Sequence, residues 1–235
     1  DHQGVLGNSL QEIAAEKIGI TIPNVPVIVA DQVAELKPWL TEQFRKSKVP
    51  YYFVDEIIDG FFPENKLSAE LYSKPQMACI QTSLCAMQVL FDGNSSEKQK
   101  WLACAKNVKM SGRLDLQQNV FWRKHGKSIN TILFDGGHNF DALTSLVEFL
   151  TLNKLFPCTL ILGMASDKLH PALLTPLKEL CENAESLIFT PVPSPRSATP
   201  EALENFITEC CKFEHSPEIK HSPTVEEALE TALLT

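Results

Sequence analysis

An α/β fold in two domains is what the sequence predicts, and three observations predict it. From Thr131 onward, short continuous apolar runs alternate with segments of helical periodicity. Ser, Thr and Asn residues stand where those helices would need caps. The chain's 235 residues are long for one core and comfortable for two.

The elements follow in order. Ser9-Leu10-Gln11-Glu12 reads as a capping box that opens a helix over 10–18, which Gly19 stops. Residues 25–29 read as a strand and 33–46 as a helix with an irregularity at Pro38. Residues 51–54 read as a strand and 77–91 as a helix. Strands this few suggest the back half of a sheet, and a boundary is expected near 107–111. Beyond it, Thr131-Ile132-Leu133-Phe134 reads as a strand, and 141–150 as a helix through Leu143, Leu146, Val147 and Leu150. Cys158 to Leu162 and Ser186 to Thr190 read as buried strands, and 170–182 as a helix that tolerates Pro171 in its first turn. Thr199 caps a helix expected to reach Lys212, and Thr224 caps a last one over 225–233. Apolar strands alternating with helices imply a parallel sheet, so this half is expected to be a Rossmann-like α/β domain.

Composition sets the outer limits. With 44% hydrophobic and 21% charged residues, the chain reads as neither disordered, collagen-like nor a disulfide-stapled miniprotein. No apolar run is long enough to span a bilayer, so no membrane association is expected. A net charge of −8 without a Lys/Arg cluster argues against nucleic acid. Cys79, Cys85, Cys104, Cys158, Cys181, Cys210 and Cys211 show no metal spacing and read as reduced thiols of a cytoplasmic protein. Asp1-His2-Gln3-Gly4 lacks both an initiator Met and a signal-peptide pattern, so a processed, trimmed or cut chain is expected.

Two segments carry chemistry. In the first helix Leu10, Ile13, Ala14 and Lys17 share one stripe, which would bury Lys17. A buried neutral amine can take up carbon dioxide and become a carbamate, an anion suited to a metal. The other reading is a lysine snorkelling to solvent beside the helix C-terminus. In the second segment, Asp135-Gly136-Gly137-His138-Asn139 follows a strand and leads into a helix. Such a loop suits an anionic ligand. It also suits a plain turn, with Asn139 as N-cap and Asp135 holding local amides.

The string from Asp1 to Ile20, DHxxxLGxxxxxIAxEKxGI, resembles a segment of the folylpolyglutamate and dihydrofolate synthases of the Mur-ligase superfamily. His2, Leu6, Gly7, Ile13, Ala14, Glu16, Lys17, Gly19, Ile20, Pro26 and Val27 match, while Ile18 and Ile22 depart from Ala and Lys. The 135–139 stretch is similar to the family's DGAHNP motif, with Gly137 for Ala and Phe140 for Pro. Ser111-Gly112-Arg113-Leu114 resembles PGR(F/L)E, with Ser for Pro. Gly163-Met164 with Asp167-Lys168 resembles G-M-x-x-DKD, with Leu169 for the second Asp. Pro195-Arg196-Ser197 with Glu201-Ala202-Leu203 resembles a PRA…EEL stretch of architectural character.

The resemblance implies a fold of two parts. Residues 1–107 would be the back half of a P-loop-type Mur-ligase central ATPase domain, and 108–235 the Rossmann-like Mur-ligase C-terminal domain. It makes His2 a Mg²⁺ ligand, Lys17 the carbamylated lysine beside it, and Arg113 and Asp135 contacts of ATP. Gln81 takes the place of an ATP-contacting Asn, and His138 lies in the interdomain cleft near the incoming glutamate. ATP and Mg²⁺, with room for a monovalent cation, are the implied cofactors. L-glutamate and a pteroate or folate are the implied substrates, and the protein is expected to be a monomer. The implied reaction is ATP-driven amide formation through an acyl phosphate. No G-x-x-x-x-G-K-[ST] loop occurs in the chain, so a piece of the enzyme, inactive by itself, is expected. A non-catalytic remnant that binds a partner, and a Mur-type ligase for another amino acid, are the alternatives.

Overall fold

The computed structural model describes residues 7–62, 72–122, 126–209 and 217–233. The chain divides into two units, Asp1–Val108 and Lys109–Thr235.

In the first unit, helix α1 (Leu10–Ile18) opens on the expected capping box. The Glu12 amide donates to Ser9 Oγ at 3.2 Å, and the Ser9 amide donates back to Glu12 Oε2 at 3.1 Å. A third amide, that of Asn8, donates to the same carboxylate oxygen at 2.7 Å. These amide bonds hold the Glu12 carboxyl below the ordinary carboxylate range. Strand β1 (Val27–Val29) runs parallel to β2 (Tyr51–Phe53), with Ile28 opposite Tyr52. Between them α2 (Leu36–Lys46) buries Leu36, Leu40 and Phe44, one residue per turn, and Phe44 stacks on Tyr51. Pro38 causes no irregularity, because it falls in the first turn of α2 where a backbone N–H has no intrahelical acceptor.

Helix α3 (Val54–Phe61) follows β2 directly, and α4 (Lys74–Phe91) begins three residues earlier than expected. Ser73 caps α4, and its box partner Gln76 bonds back to the Ser73 amide at 3.0 Å. These two helices share a small core of Val54, Ile58, Phe62, Leu84 and Cys85. Burial pushes the Cys85 thiol up to about 11. Helix α5 (Ser95–Ala105), capped by Asn94 and Glu97, was not expected; it buries no residue fully, so its apolar signal is weak.

The second unit departs from the expected all-parallel pattern at its start. Strand β3 (Asp115–Trp122) pairs antiparallel with β4 (Lys127–Phe134), placing Leu116 opposite Leu133. Among the described residues β4 therefore belongs to a two-stranded sheet, not to the parallel one. Asp115 to Trp122, a run that mixes polar and apolar residues without strict alternation, supplies its partner through a short connection, so the backbone groups of both strands pair locally. The parallel sheet has the order β5 (Cys158–Leu162), β6 (Ala184–Phe189), β7 (Glu218–His221). Strand β7 holds one apolar residue, Ile219, among charged neighbours, a composition suited to an edge.

Helices α6 (Phe140–Leu152), α7 (Leu174–Glu182), α8 (Pro200–Thr208) and α9 (Val225–Ala232) complete the unit. Helix α7 starts later than expected. Pro171 belongs to a separate 3-10 turn, and Pro176 cannot donate to a carbonyl four residues back. Its missing N–H is harmless only in a first turn, so the α-helix begins at Leu174. Helix α8 ends at Thr208 rather than Lys212. The core gathers Leu143, Val147 and Leu150 from α6, Leu177 and Leu180 from α7, Leu187 and Phe189 from β6, and Leu203 and Ile207 from α8. No helix among the described residues is long and apolar enough to cross a membrane.

Candidate functional site

The loop after β4 and the turn before β3 are built as one piece. Asp135 spends both carboxylate oxygens on backbone amides: Leu114 N–H donates to Oδ2 at 2.8 Å, and Gly137 N–H donates to Oδ1 at 2.7 Å. The Gly136 amide donates to the Gly112 carbonyl at 2.9 Å, a second tie between the same segments. The turn so held is strained at Leu114, which lies at φ 46°, while Gly112 takes φ 69° without strain. A left-handed backbone is uncommon outside Gly, Asn and Asp, and Leu114 is none of these.

Arg113 sits inside that turn, and its side chain is exposed. Its guanidinium lies against Gly136, where an added Cβ would stand 2.7 Å from Nη1. Glycine leaves the guanidinium the volume that a side chain would otherwise take. His138 is exposed, and its Nδ1 lies 3.0 Å from the Gly136 carbonyl oxygen, to which it donates when it carries the hydrogen. Asn139 caps α6 by accepting from the Ala142 amide at 2.9 Å. The capping part of the turn reading is realised at Asn139. Asp135 accepts from one local amide, Gly137, and one distant amide, Leu114, while the Arg113 guanidinium and the His138 imidazole stand on the two segments these bonds join.

The loops after β5 and β6 form a second clasp. Arg196 Nη1 lies 3.3 Å from Asp167 Oδ2, and the Ser166 amide donates to the Arg196 carbonyl at 2.7 Å. Ala165 bridges antiparallel to Ser197, and the Ala198 amide donates to the Met164 carbonyl at 2.9 Å. Gly163 permits the approach, since a Cβ there would stand 2.6 Å from the Thr190 carbonyl oxygen. The motif reading had both segments but not their pairing, because the partners lie 29 positions apart with no local signature.

The first unit carries Lys17 and Gln81. Lys17 lies in the last turn of α1 and is exposed; of its stripe only Ala14 is buried, and Leu10 is 56% exposed. The burial argument for a carbamate is corrected accordingly. The stripe of this short helix turns only Ala14 fully into the core, and Lys17 projects to solvent as the second reading had it. Gln81 is half-buried on α4 and lines a pocket of about 260 Å³ with Asp31, Val54, Asp55, Ile58 and Ala78. Asp55 also pairs with Lys37. His2 lies outside the described residues. Among the described residues, no group of three or more His, Cys, Asp or Glu side chains is placed to hold a metal ion.

Known proteins supply the context for these motifs. The family model described as Mur ligase, glutamate ligase domain, matches residues 112–235, more than half of the chain. A probable dihydrofolate synthetase of Schizosaccharomyces pombe is 30% identical over 173 residues, covering 66% of this chain and 38% of that protein. The dihydrofolate synthetase of Saccharomyces cerevisiae is 27% identical over 229 residues, covering 88% of this chain and 52% of that one. The chain therefore spans about half, or less, of the length of the curated relatives it matches. In three dimensions it is similar to Mycobacterium tuberculosis folylpolyglutamate synthase complexed with ADP. The TM-score is 0.74 at 18% identity, over 100% of this chain and 54% of the other, a likeness of fold. The Arg113 turn and the Asp135 loop both lie inside the matched stretch, and on that footing the chain belongs to the Mur ligase family.

Proposed function

We propose that these residues work in an ATP-dependent carbon–nitrogen ligase that joins L-glutamate to dihydropteroate, to a folylglutamate, or to both. The observation that carries the reading is the Arg113–Gly136 contact within the stretch matched as a glutamate ligase domain. A permanently charged, forked guanidinium seated on a glycine is suited to phosphate oxygens. The names of the two synthetases and the ADP complex of the M. tuberculosis enzyme point the same way.

In this reading ATP is a substrate that phosphorylates the carboxylate of the pteroate or folate. Glutamate nitrogen attacks the acyl carbon, an amide C–N bond forms, and phosphate leaves. Arg113 offsets charge on the transferring phosphoryl group. Asp135 belongs to the nucleotide side of the site, and His138 to the side of the incoming glutamate. Gln81 faces a pocket walled by two carboxylates, acceptor-rich ground that suits N–H donors of a base better than phosphates. Mg²⁺ would supply further positive charge beside the phosphates, with His2 and a carbamylated Lys17 as its proposed holders. No step is assigned to it, because the described residues build no metal cluster. Residues 1–107 are taken as central-domain and 108–235 as C-terminal-domain structure, in a cytoplasmic monomer.

The test supplies the full-length protein with ATP, L-glutamate and either dihydropteroate or a folylglutamate. Phosphate release that requires glutamate and one of these acceptors is expected. Release with neither acceptor would overturn the reading, and release driven by a different amino acid would replace it with another Mur-type ligase.

A further inference from the structure

We infer that the imidazole of His221 is a proton-operated latch, which holds strand β7 against helix α8 while the ring is charged and slackens when it is neutral. The inference stands apart from the nucleotide reading and concerns the frame of the second unit. His221 is the last residue of β7. Its Nε2 lies 2.5 Å from Glu204 Oε2 and its Nδ1 lies 3.5 Å from Glu201 Oε1, so each ring nitrogen faces a carboxylate of α8. The two glutamates stand three positions apart on that helix, a spacing at which like charges repel. An imidazolium donates from both nitrogens, whereas a neutral imidazole has a single N–H. Charged, the ring bonds Glu204, attracts Glu201 and offsets the repulsion between them. Neutral, it keeps one N–H for Glu204, and Glu201 then faces a bare lone pair.

The groups around the ring leave this balance to the two glutamates. From β6 the ring of Phe189 meets His221 edge-on, with 6.1 Å between centroids and no charge. On β7 itself Lys220 Nζ pairs with Glu218 Oε2 at 3.0 Å. The Glu201 carboxyl is held below the ordinary carboxylate range by its own backbone amide, by the Thr199 hydroxyl and by His221, which keeps it ionised. Among the described residues β7 pairs with β6 alone, so a tie to α8 counts for more there than on a central strand. The stabilisation is complete where the ring is charged in the folded and the unfolded chain alike, and is lost as pH rises through the neutral range.

The experiment measures hydrogen-exchange protection of the 218–222 amides in the full-length protein, against the intrinsic rate at each pH, at about pH 5.5 and about pH 8.5. The Ser222 amide, which donates to the Phe189 carbonyl at 2.9 Å, is the reporter beside the latch. Nitrogen NMR of the His221 ring accompanies it. At the lower pH both ring nitrogens are expected to carry a proton. Protection is expected to fall about twofold to fivefold at the higher pH, the range of a part-exposed ion pair. His221→Gln is expected to erase that dependence, and Glu201→Gln to reduce it, because the carboxylate that a neutral ring repels is gone. The same dependence in His221→Gln, or a single protonated ring nitrogen in the folded protein at the lower pH, would overturn the inference. Should His221→Gln fail to fold, Glu201→Gln, at an exposed position, decides alone. An undiminished dependence in that variant counts against the latch.

Discussion

The two motif segments of this chain are equally regular in sequence and differ sharply in structure. In α1 the capping box closes locally, while Lys17 stands exposed on the helix surface. In the 135–139 loop, each oxygen of one carboxylate takes a backbone amide, one of them that of the strained Leu114, and the neighbouring Arg113 guanidinium lies against Gly136. Spacing alone gives residue types at a site. Bonds across the fold give the geometry, and only the second segment has it within its own unit.

The largest effect expected concerns Lys17. If its role is chemical, Lys17→Ala should lower turnover of the full-length protein at least about a hundredfold, as loss of a charge-stabilising group does. Stability should stay within about 0.5 kcal/mol, as is usual for an exposed position. Near-normal turnover would leave Lys17 as a solvated helix-end residue. Next comes the frame that carries the second segment. Phe189 of β6 is fully buried in the core, and Phe189→Ala should cost about 3–5 kcal/mol in denaturant unfolding. A loss under about 1 kcal/mol would show a second unit far looser than its packing indicates.

A finer cut comes from Gly136→Ala. The only close approach of the added Cβ is to the far end of the Arg113 side chain, the Gly112 carbonyl oxygen lying at ordinary contact distance, so the fold should survive while the guanidinium is displaced. ATP affinity should fall about tenfold with little change in melting temperature; a collapse in stability instead would show that the contact is rigid. The smallest effect is in α1. The Glu12 carboxyl is held below its ordinary value by the Asn8 and Ser9 amides. The stabilisation is therefore complete above the unfolded value near 4.5 and is lost as pH falls through the lower, folded value. The protection of the first-turn amides of α1, hydrogen exchange measured against the intrinsic rate at each pH, should fall in acid below that point, and Glu12→Gln should flatten the dependence.

What was legible in the sequence was what local chemistry writes. Ser9 with Glu12, Asn139, Thr199 and Thr224 each cap a helix where their positions indicate. The same kind of signal, Asn94 followed by Glu97, was present for α5, but that helix carries no buried stripe to draw attention to it. Strand β7 is polar enough to read as a loop and β3 lacks a clean alternation, and the strand character of both comes from partners elsewhere in the chain. Lys17 follows the solvent-facing one of its two readings, on a stripe that periodicity marks and the fold leaves largely exposed. In the candidate site, Arg113, Asp135 and His138 were visible as types. The bond from Leu114 to Asp135 joins positions 21 apart, and no pattern along the chain announces it.

The clasp between the Asp167 and Arg196 loops has a consequence for protein engineering. Each loop is the template on which the other is shaped: Ser166 bonds the Arg196 carbonyl, Ala198 bonds Met164, and Gly163 clears the Thr190 carbonyl oxygen. A chimera that grafts 163–168 from a relative without 190–198 joins surfaces never selected together, whereas grafting both transplants an intact module. A substitution on either side alters the surface that shapes the other loop.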